Sequence, residues 1–267
     1  MDRDAMLIEP EELLSKLGQP NLCVFDAGLS DAQYLEGHIP GAAYFDHERF
    51  SVPGSKYSCT LLPEAALTEA IRQAGIDNET EVVVYAWGMM PYAARAWWLL
   101  RYAGHRNVRV LMGGIAAWEA AGGSLEREPR QFAPTHFEPA FTPEMFADRV
   151  AVQAALGDPR TATVDVLPQL SYDGRHITGS ICVSCFPLLV GMDSFQPTEV
   201  LAAQLKDLAA YDRVITYCGG GIAAALSAMA HWMVGQTNVA VYDGSLDEWI
   251  GEGLPTTGSG KWQIWQS

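Results

Sequence analysis

The sequence predicts an α/β protein built from two copies of one domain, each a mostly parallel sheet with helices on both faces. Three observations carry this. Short apolar runs alternate with helix-forming runs, a set of motifs recurs in the same order in both halves, and a polar, proline-punctuated stretch lies between them. Short apolar strands separated by helices mark a parallel sheet covered on both sides.

In the first half Val24-Phe25-Asp26 is followed twelve residues later by His38-Ile39-Pro40-Gly41-Ala42, and in the second Thr163-Val164-Asp165 is followed eleven residues later by His176-Ile177-Thr178-Gly179-Ser180. Each copy opens with a helix, about 9–17 and 142–156, before a short apolar strand at 22–26 or 162–166. The His-Ile-x-Gly turn leads to another short strand, and a helix follows at 63–74 or 197–210. Glu81-Val82-Val83-Val84-Tyr85 answers Arg213-Val214-Ile215-Thr216-Tyr217, each running through a glycine-containing loop into an alanine-rich helix. The last strands, 108–112 and 239–242, lead through Gly113-Gly114 or Gly244-Ser245 into a closing helix, with Trp118 and Trp249 four residues on. Between the copies, Leu125-Glu126-Arg127-Glu128-Pro129-Arg130-Gln131-Phe132-Ala133-Pro134 fits an extended linker.

Ligands of such sheets bind beyond the carboxyl ends of the strands, and Cys218 stands there, at the mouth of Gly219-Gly220-Gly221 and just before the helix former Ile222-Ala223-Ala224-Ala225-Leu226. Backbone N–H groups and a helix N-terminus favour the anion of such a thiol. Lowering its pKa by two units takes about 2.7 kcal/mol. A helix dipole supplies only about 0.3–1 kcal/mol at an exposed site, so most of such a shift must come from N–H groups aimed at sulfur. Three glycines permit that approach. The alternative is a small, buried, apolar cysteine beside a turn.

Composition narrows the function. The 267 residues are 49% hydrophobic, enough for two cores of ordinary domain size. The formal charge of −15, 17 cationic against 32 anionic side chains, disfavours nucleic acid and anionic membranes as partners. No apolar stretch reaches the roughly 18 residues of a membrane span, and no signal peptide is visible at the start. Five scattered cysteines form no disulfide framework and suit a reducing cytoplasm. Cys182-x-x-Cys185 lies in an apolar run without a second ligand pair, so it reads as core packing, and no metal or cofactor is expected.

These residues together resemble the tandem rhodanese-type sulfurtransferases over nearly the whole chain. His38-Ile39-Pro40-Gly41-Ala42, the segment Ala94–His105 with Trp97-Trp98, and Gly113-Gly114 with Trp118 carry the likeness, with Cys218 at the family's active-site cysteine. The resemblance implies a first rhodanese-like domain at 1–125 that is catalytically silent, with Ala86 where the cysteine would stand, a linker at 126–138, and a catalytic domain at 139–267. It also implies that the Cys218 thiolate takes the outer sulfur of a small anionic donor, thiosulfate or 3-mercaptopyruvate, as a persulfide, and that cyanide or a small or protein thiol removes it. The loop amides of Gly219, Gly220, Gly221, Ile222 and Ala223 would hold substrate and persulfide.

The departures bear on the donor. Thiosulfate-selective members place Arg or Lys in the loop, whereas Cys218 to Ala225 carries no charge. The mercaptopyruvate branch resembles Cys-Gly-Ser/Thr-Gly-Val-Thr, and here Gly220 stands where its hydroxyl would act. His38 and Asp31 match positions that this branch contributes to the site, and Arg175 is the nearest candidate cation for a donor's carboxylate or sulfonate. A related cysteine phosphatase would need Cys-x5-Arg, but the sixth residue after Cys218 is Ala224. A non-catalytic module, serving as sulfur carrier or protein-binding platform, is the alternative to an enzyme.

Overall fold

The computed structural model describes residues 3–263, and the chain divides into two units. The first comprises Met1–Pro53, Leu61–Thr142 and Val190–Phe195, and the second Gly54–Thr60, Pro143–Leu189 and Gln196–Ser267. Each half of the sequence thus lends a short segment to the other unit.

In the first unit five parallel strands lie in the order β1-β5-β4-β2-β3, where β1 is Leu7–Ile8, β2 Leu22–Asp26, β3 Ala43–Tyr44, β4 Glu81–Tyr85 and β5 Val108–Leu111. The central β4 is buried along its whole length, which is why it reads as an unbroken apolar run rather than an alternating one. Helices α1 (Pro10–Lys16), α2 (Asp31–Glu36), α3 (Glu64–Gln73), α4 (Met90–Tyr102) and α5 (Gly114–Ala120) cover the sheet. Trp97 and Trp98 of α4 and Trp118 of α5 are at most 1% exposed.

The second unit repeats this topology. Its five parallel strands are ordered β6-β13-β12-β7-β9, with β6 at Phe146–Ala147, β7 at Thr161–Asp165, β9 at Ile181–Cys182, β12 at Arg213–Tyr217 and β13 at Val239–Tyr242. A separate antiparallel pair joins β8 (His176–Ile177) to β14 (Thr256–Thr257). The short ribbon of β10 (Leu189–Val190) and β11 (Ser194–Phe195) falls, from Val190 on, in the segment assigned to the first unit. The helices are α6 (Arg149–Ala155), α7 (Gln169–Gly174), α8 (Thr198–Leu205), α9 (Ile222–Met233) and α10 (Ser245–Gly251).

Local geometry shows the repeat as clearly as topology does. Tyr85 lies opposite Asp26 across the ladder, and Tyr217 lies opposite Asp165. The Ile39 N–H donates to Tyr85 Oη and the Ile177 N–H to Tyr217 Oη, each over 3.1 Å, so the His-Ile turn is fastened to the central strand in both units. Asp26 Oδ1 accepts from Gly28 N–H, and Asp165 Oδ1 from Leu167 N–H, each at 2.9 Å.

Three segments differ from the sequence reading. The helix expected at 142–156 is a 3-10 turn (Pro143–Met145), the edge strand β6 and the shorter α6, because the Asp148 carboxylate accepts the Ala151 N–H at 2.8 Å and starts the helix there. The helix expected at 197–210 tightens after Leu205 into a 3-10 turn, Lys206–Ala210. Residues 126–138 contain neither helix nor strand beyond isolated bridges, but they are packed into the first unit. Glu126 and His38 exchange backbone hydrogen bonds at 2.9 Å, the Arg72 guanidinium donates to Phe137 O, and Phe137 is fully buried. The change of unit comes after Thr142, beyond the proline-rich stretch that marks it in the sequence. Among the described residues no helix is long and apolar enough to cross a membrane.

Candidate active site

Strand β12 delivers Cys218 to the carboxyl end of the sheet, and the loop then turns directly into α9. Gly221 caps that helix with φ +83°, a left-handed conformation that a side chain would strain. The turn points amides inward. Gly221 N–H lies 3.1 Å from Cys218 Sγ, and the N–H groups of Gly220, Ala223 and Ala224 also act on the sulfur. Ile222 supplies the first residue of the helix.

The start of α10 holds the loop from the other side. Cys218 N–H donates to Ser245 Oγ at 3.1 Å, Leu246 N–H to Cys218 O at 3.0 Å, and Asp247 N–H to Gly219 O at 3.0 Å. Ser245 is fully buried with φ +49° and its hydroxyl donates to Tyr242 O at 2.8 Å, leaving Oγ 4.0 Å from the sulfur. A positive φ at a non-glycine residue costs about 1 kcal/mol or more and persists only where the surroundings enforce it. The first unit has Gly114, φ +54°, at the matching place. A serine where the other copy needs glycine was the sequence signal for this residue, and the sequence reading missed it.

Three further residues border the loop. A Cβ on Gly219 would stand 2.6 Å from the Trp262 ring, so only glycine fits beneath that indole. A Cβ on Gly220 would stand 3.2 Å from Ser58 Cβ and 3.6 Å from Asp247 Oδ2. Ser58, Asp247 and Trp262 are 160, 29 and 44 residues from Cys218 in sequence, which hid them from any motif.

Cys218 is 3% exposed, and this reverses one expectation. Burial pushes the thiol above its ordinary value, outweighing the amides that pull it down. The free protein therefore rests as a thiol, with donors placed for a charge that arises later. Alkylation by a small neutral reagent should be slow near pH 7 and rise with pH through a midpoint above that of free cysteine, about 8.5, when rates are measured from pH 6 to 10. A rate already at its plateau at pH 7 would mean that the amides dominate.

The other residues singled out from sequence are placed as follows. His38 is fully buried, stacked on Tyr34 at 3.9 Å, with Nδ1 2.8 Å from Tyr34 O and Nε2 3.2 Å from Glu128 O, so both ring nitrogens are occupied within the first unit. His176 stacks on Tyr172 in the same way, at 3.6 Å. Asp31 is the exposed first residue of α2. Arg175 Nε donates to Thr256 Oγ1 at 3.1 Å, which ties it to the β8–β14 pair. Cys185 is 1% exposed, while Cys182 is half-buried and directs Sγ to Leu167 O at 3.6 Å. Among the described residues no group of His, Cys, Asp or Glu is arranged to hold a metal ion.

The loop after β4 has lost more than its sulfur. Ala86 replaces the cysteine, Met90 N–H is taken by Met192 O at 3.0 Å, and Pro91, in the first turn of α4, has no N–H to give. Two of the amides that would answer those of the second loop are thus not available.

Known proteins resemble this chain in sequence and fold. The Rhodanese-like domain family matches residues 9–121 and 148–252. A probable 3-mercaptopyruvate sulfurtransferase of Pseudomonas aeruginosa is 33% identical over 270 residues, covering 92% of this chain and 95% of the relative. The thiosulfate sulfurtransferase of Bos taurus is 33% identical over 262 residues, covering 89% of this chain and 88% of the relative. The crystal structure of the Escherichia coli 3-mercaptopyruvate enzyme SseA matches with a TM-score of 0.82 at 27% identity, covering 90% of this chain and 98% of that one. With a family match in each half and relatives aligned along nearly the full length, this chain belongs to the rhodanese family, as a tandem-domain sulfurtransferase.

Proposed function

We propose that Cys218 takes the outer sulfur of thiosulfate or 3-mercaptopyruvate as a persulfide and passes it to cyanide or to a thiol, small or borne by a protein. The observation that carries this reading is the Gly221 N–H 3.1 Å from Sγ, joined by three more amides on the same atom. Such an array stabilises a charge that develops on sulfur, as an oxyanion hole does for oxygen. The thiol loses its proton as it attacks, sulfite or pyruvate leaves, and the outer sulfur carries the charge until an acceptor removes it.

Relatives named for each donor support both candidates. The loop from Cys218 to Ala225 contains no cation, so a dianion gains only amide hydrogen bonds there. A net charge of −15 opposes its approach from solution. Both facts favour 3-mercaptopyruvate, which carries less charge. Incubation with each donor followed by intact mass measurement tests the reading: one sulfur atom per chain is expected, lost again on addition of cyanide or a thiol. Sulfur taken up but never released would make the protein a carrier, and failure to load would leave a binding platform.

A further inference from the structure

Cleavage of a sulfur–carbon bond leaves an enolate that needs a proton, and Gly220 has no side chain to supply one. The carboxylate of Asp247 occupies the neighbouring space, its Oδ2 only 3.6 Å from where a Cβ on Gly220 would stand. Its chain segment is held against the loop: Ser245 Oγ accepts from Cys218 N–H, and the Leu246 and Asp247 N–H groups donate to Cys218 O and Gly219 O. Asp247 belongs structurally to the loop, although 29 residues separate it from Cys218.

Nor does Asp247 serve as an ordinary ion-pair partner. Among the described residues no cation or hydrogen-bond donor engages its carboxylate. The charges on the elements around it are used elsewhere: Lys56 and Arg149 face Glu252, which also accepts from Tyr57, while Glu248 accepts from Tyr242. The loop itself contributes only the Cys218 thiol. Burial is the sole influence on Asp247, and it raises the carboxyl's pKa, so the group retains its proton to higher pH than an exposed aspartate.

We propose that Asp247 is the catalytic acid for donors whose sulfur is bonded to carbon, filling the place of the hydroxyl that Gly220 lacks. This rests on the persulfide reading given above. In the step, the Cys218 sulfur forms a bond to the donor sulfur, the sulfur–carbon bond breaks, and its electron pair remains on the pyruvate enolate. Asp247 takes the proton that Cys218 releases as it attacks and delivers it to the enolate, giving pyruvate. The donor carbon is reduced as the two sulfurs reach the persulfide level, so no outside oxidant or reductant is required. Sulfite, the leaving group from thiosulfate, departs as a stable anion and needs no such acid.

The test is the ratio of turnover with 3-mercaptopyruvate to turnover with thiosulfate, using cyanide as acceptor. In Asp247→Asn this ratio should fall by about 10², the lower end of general-acid contributions. Adding Gly220→Ser should recover part of it. Gly220 has no positive φ, and the nearest atoms to its new Cβ would be Ser58 Cβ, at 3.2 Å, and Asp247 Oδ2, at 3.6 Å. An unchanged ratio, or equal loss with both donors, would overturn the acid role while leaving the sulfurtransferase reading intact. So would a wild-type protein that turns over thiosulfate alone. A wild-type protein that accepts sulfur from neither donor would overturn both.

Discussion

Cys218→Ser should carry no added sulfur after incubation with either donor, and turnover should fall by at least about 10³-fold, the scale on which removal of a nucleophile is felt. The hydroxyl is far less acidic than the thiol and cannot form a persulfide. The fold should survive the exchange. Serine is slightly smaller than cysteine, and Gly221 N–H can donate to its oxygen as it does to Sγ. The melting temperature therefore separates loss of chemistry from loss of structure.

Three of the four remaining thiols are poor substitutes. Burial pushes Cys23 and Cys182 up to about 11 and raises Cys185 further still, and none of the three has the amide cradle. Cys59 sits at φ +53° in the segment Gly54–Thr60. If the serine variant still gains one sulfur atom, then the sulfur is carried on one of these, and Cys218 is not the acceptor.

Asp165→Asn should stabilise the second unit at neutral pH, contrary to the usual result of altering a fully buried aspartate. Burial raises the Asp165 pKa from 3.8 to about 6, against the opposing Leu167 N–H. The folded state thus holds this proton more tightly than the unfolded chain does. Its stabilising contribution is complete below about pH 4 and is lost as pH rises through about 6. Above that, ionisation of the buried group costs about 3 kcal/mol, from a shift of about two units. Asparagine keeps an oxygen for Leu167 and carries no charge. Thermal unfolding at pH 7.5 should show the second unit's transition higher by about 5–10 °C, and the gain should vanish near pH 4. A variant less stable at both pH values would show that the carboxylate itself is needed. Asp26, also raised to about 6, makes the same prediction for the first unit.

The two copies and their shared topology were legible in the sequence because repetition is local information read twice. Val24-Phe25-Asp26 and Thr163-Val164-Asp165 are buried strands whose apolar runs leave no doubt of their kind, and the motifs around them keep their order. By contrast, β1 and β6 are two residues long, too short for any period to show, and exist because a neighbouring edge, Val110-Leu111 or Val241-Tyr242, offers them hydrogen bonds. The exchange of residues 54–60 and 190–195 between units left no trace in composition.

The same boundary runs through the active site. The amino-acid sequence alone determined the candidate nucleophile and its glycine turn, since strand, thiol, three glycines and helix are contiguous and their backbone preferences suffice to aim N–H groups at sulfur. It equally put Ala86, which has no sulfur, at the matching place of the first copy. Only tertiary structure decided that Ser245, Asp247, Ser58 and Trp262 surround that turn, and that Cys218 rests as a thiol. Proximity of residues far apart in the chain, and the loss of water that raises a buried group's pKa, are properties of the packed whole, and no local pattern encodes them.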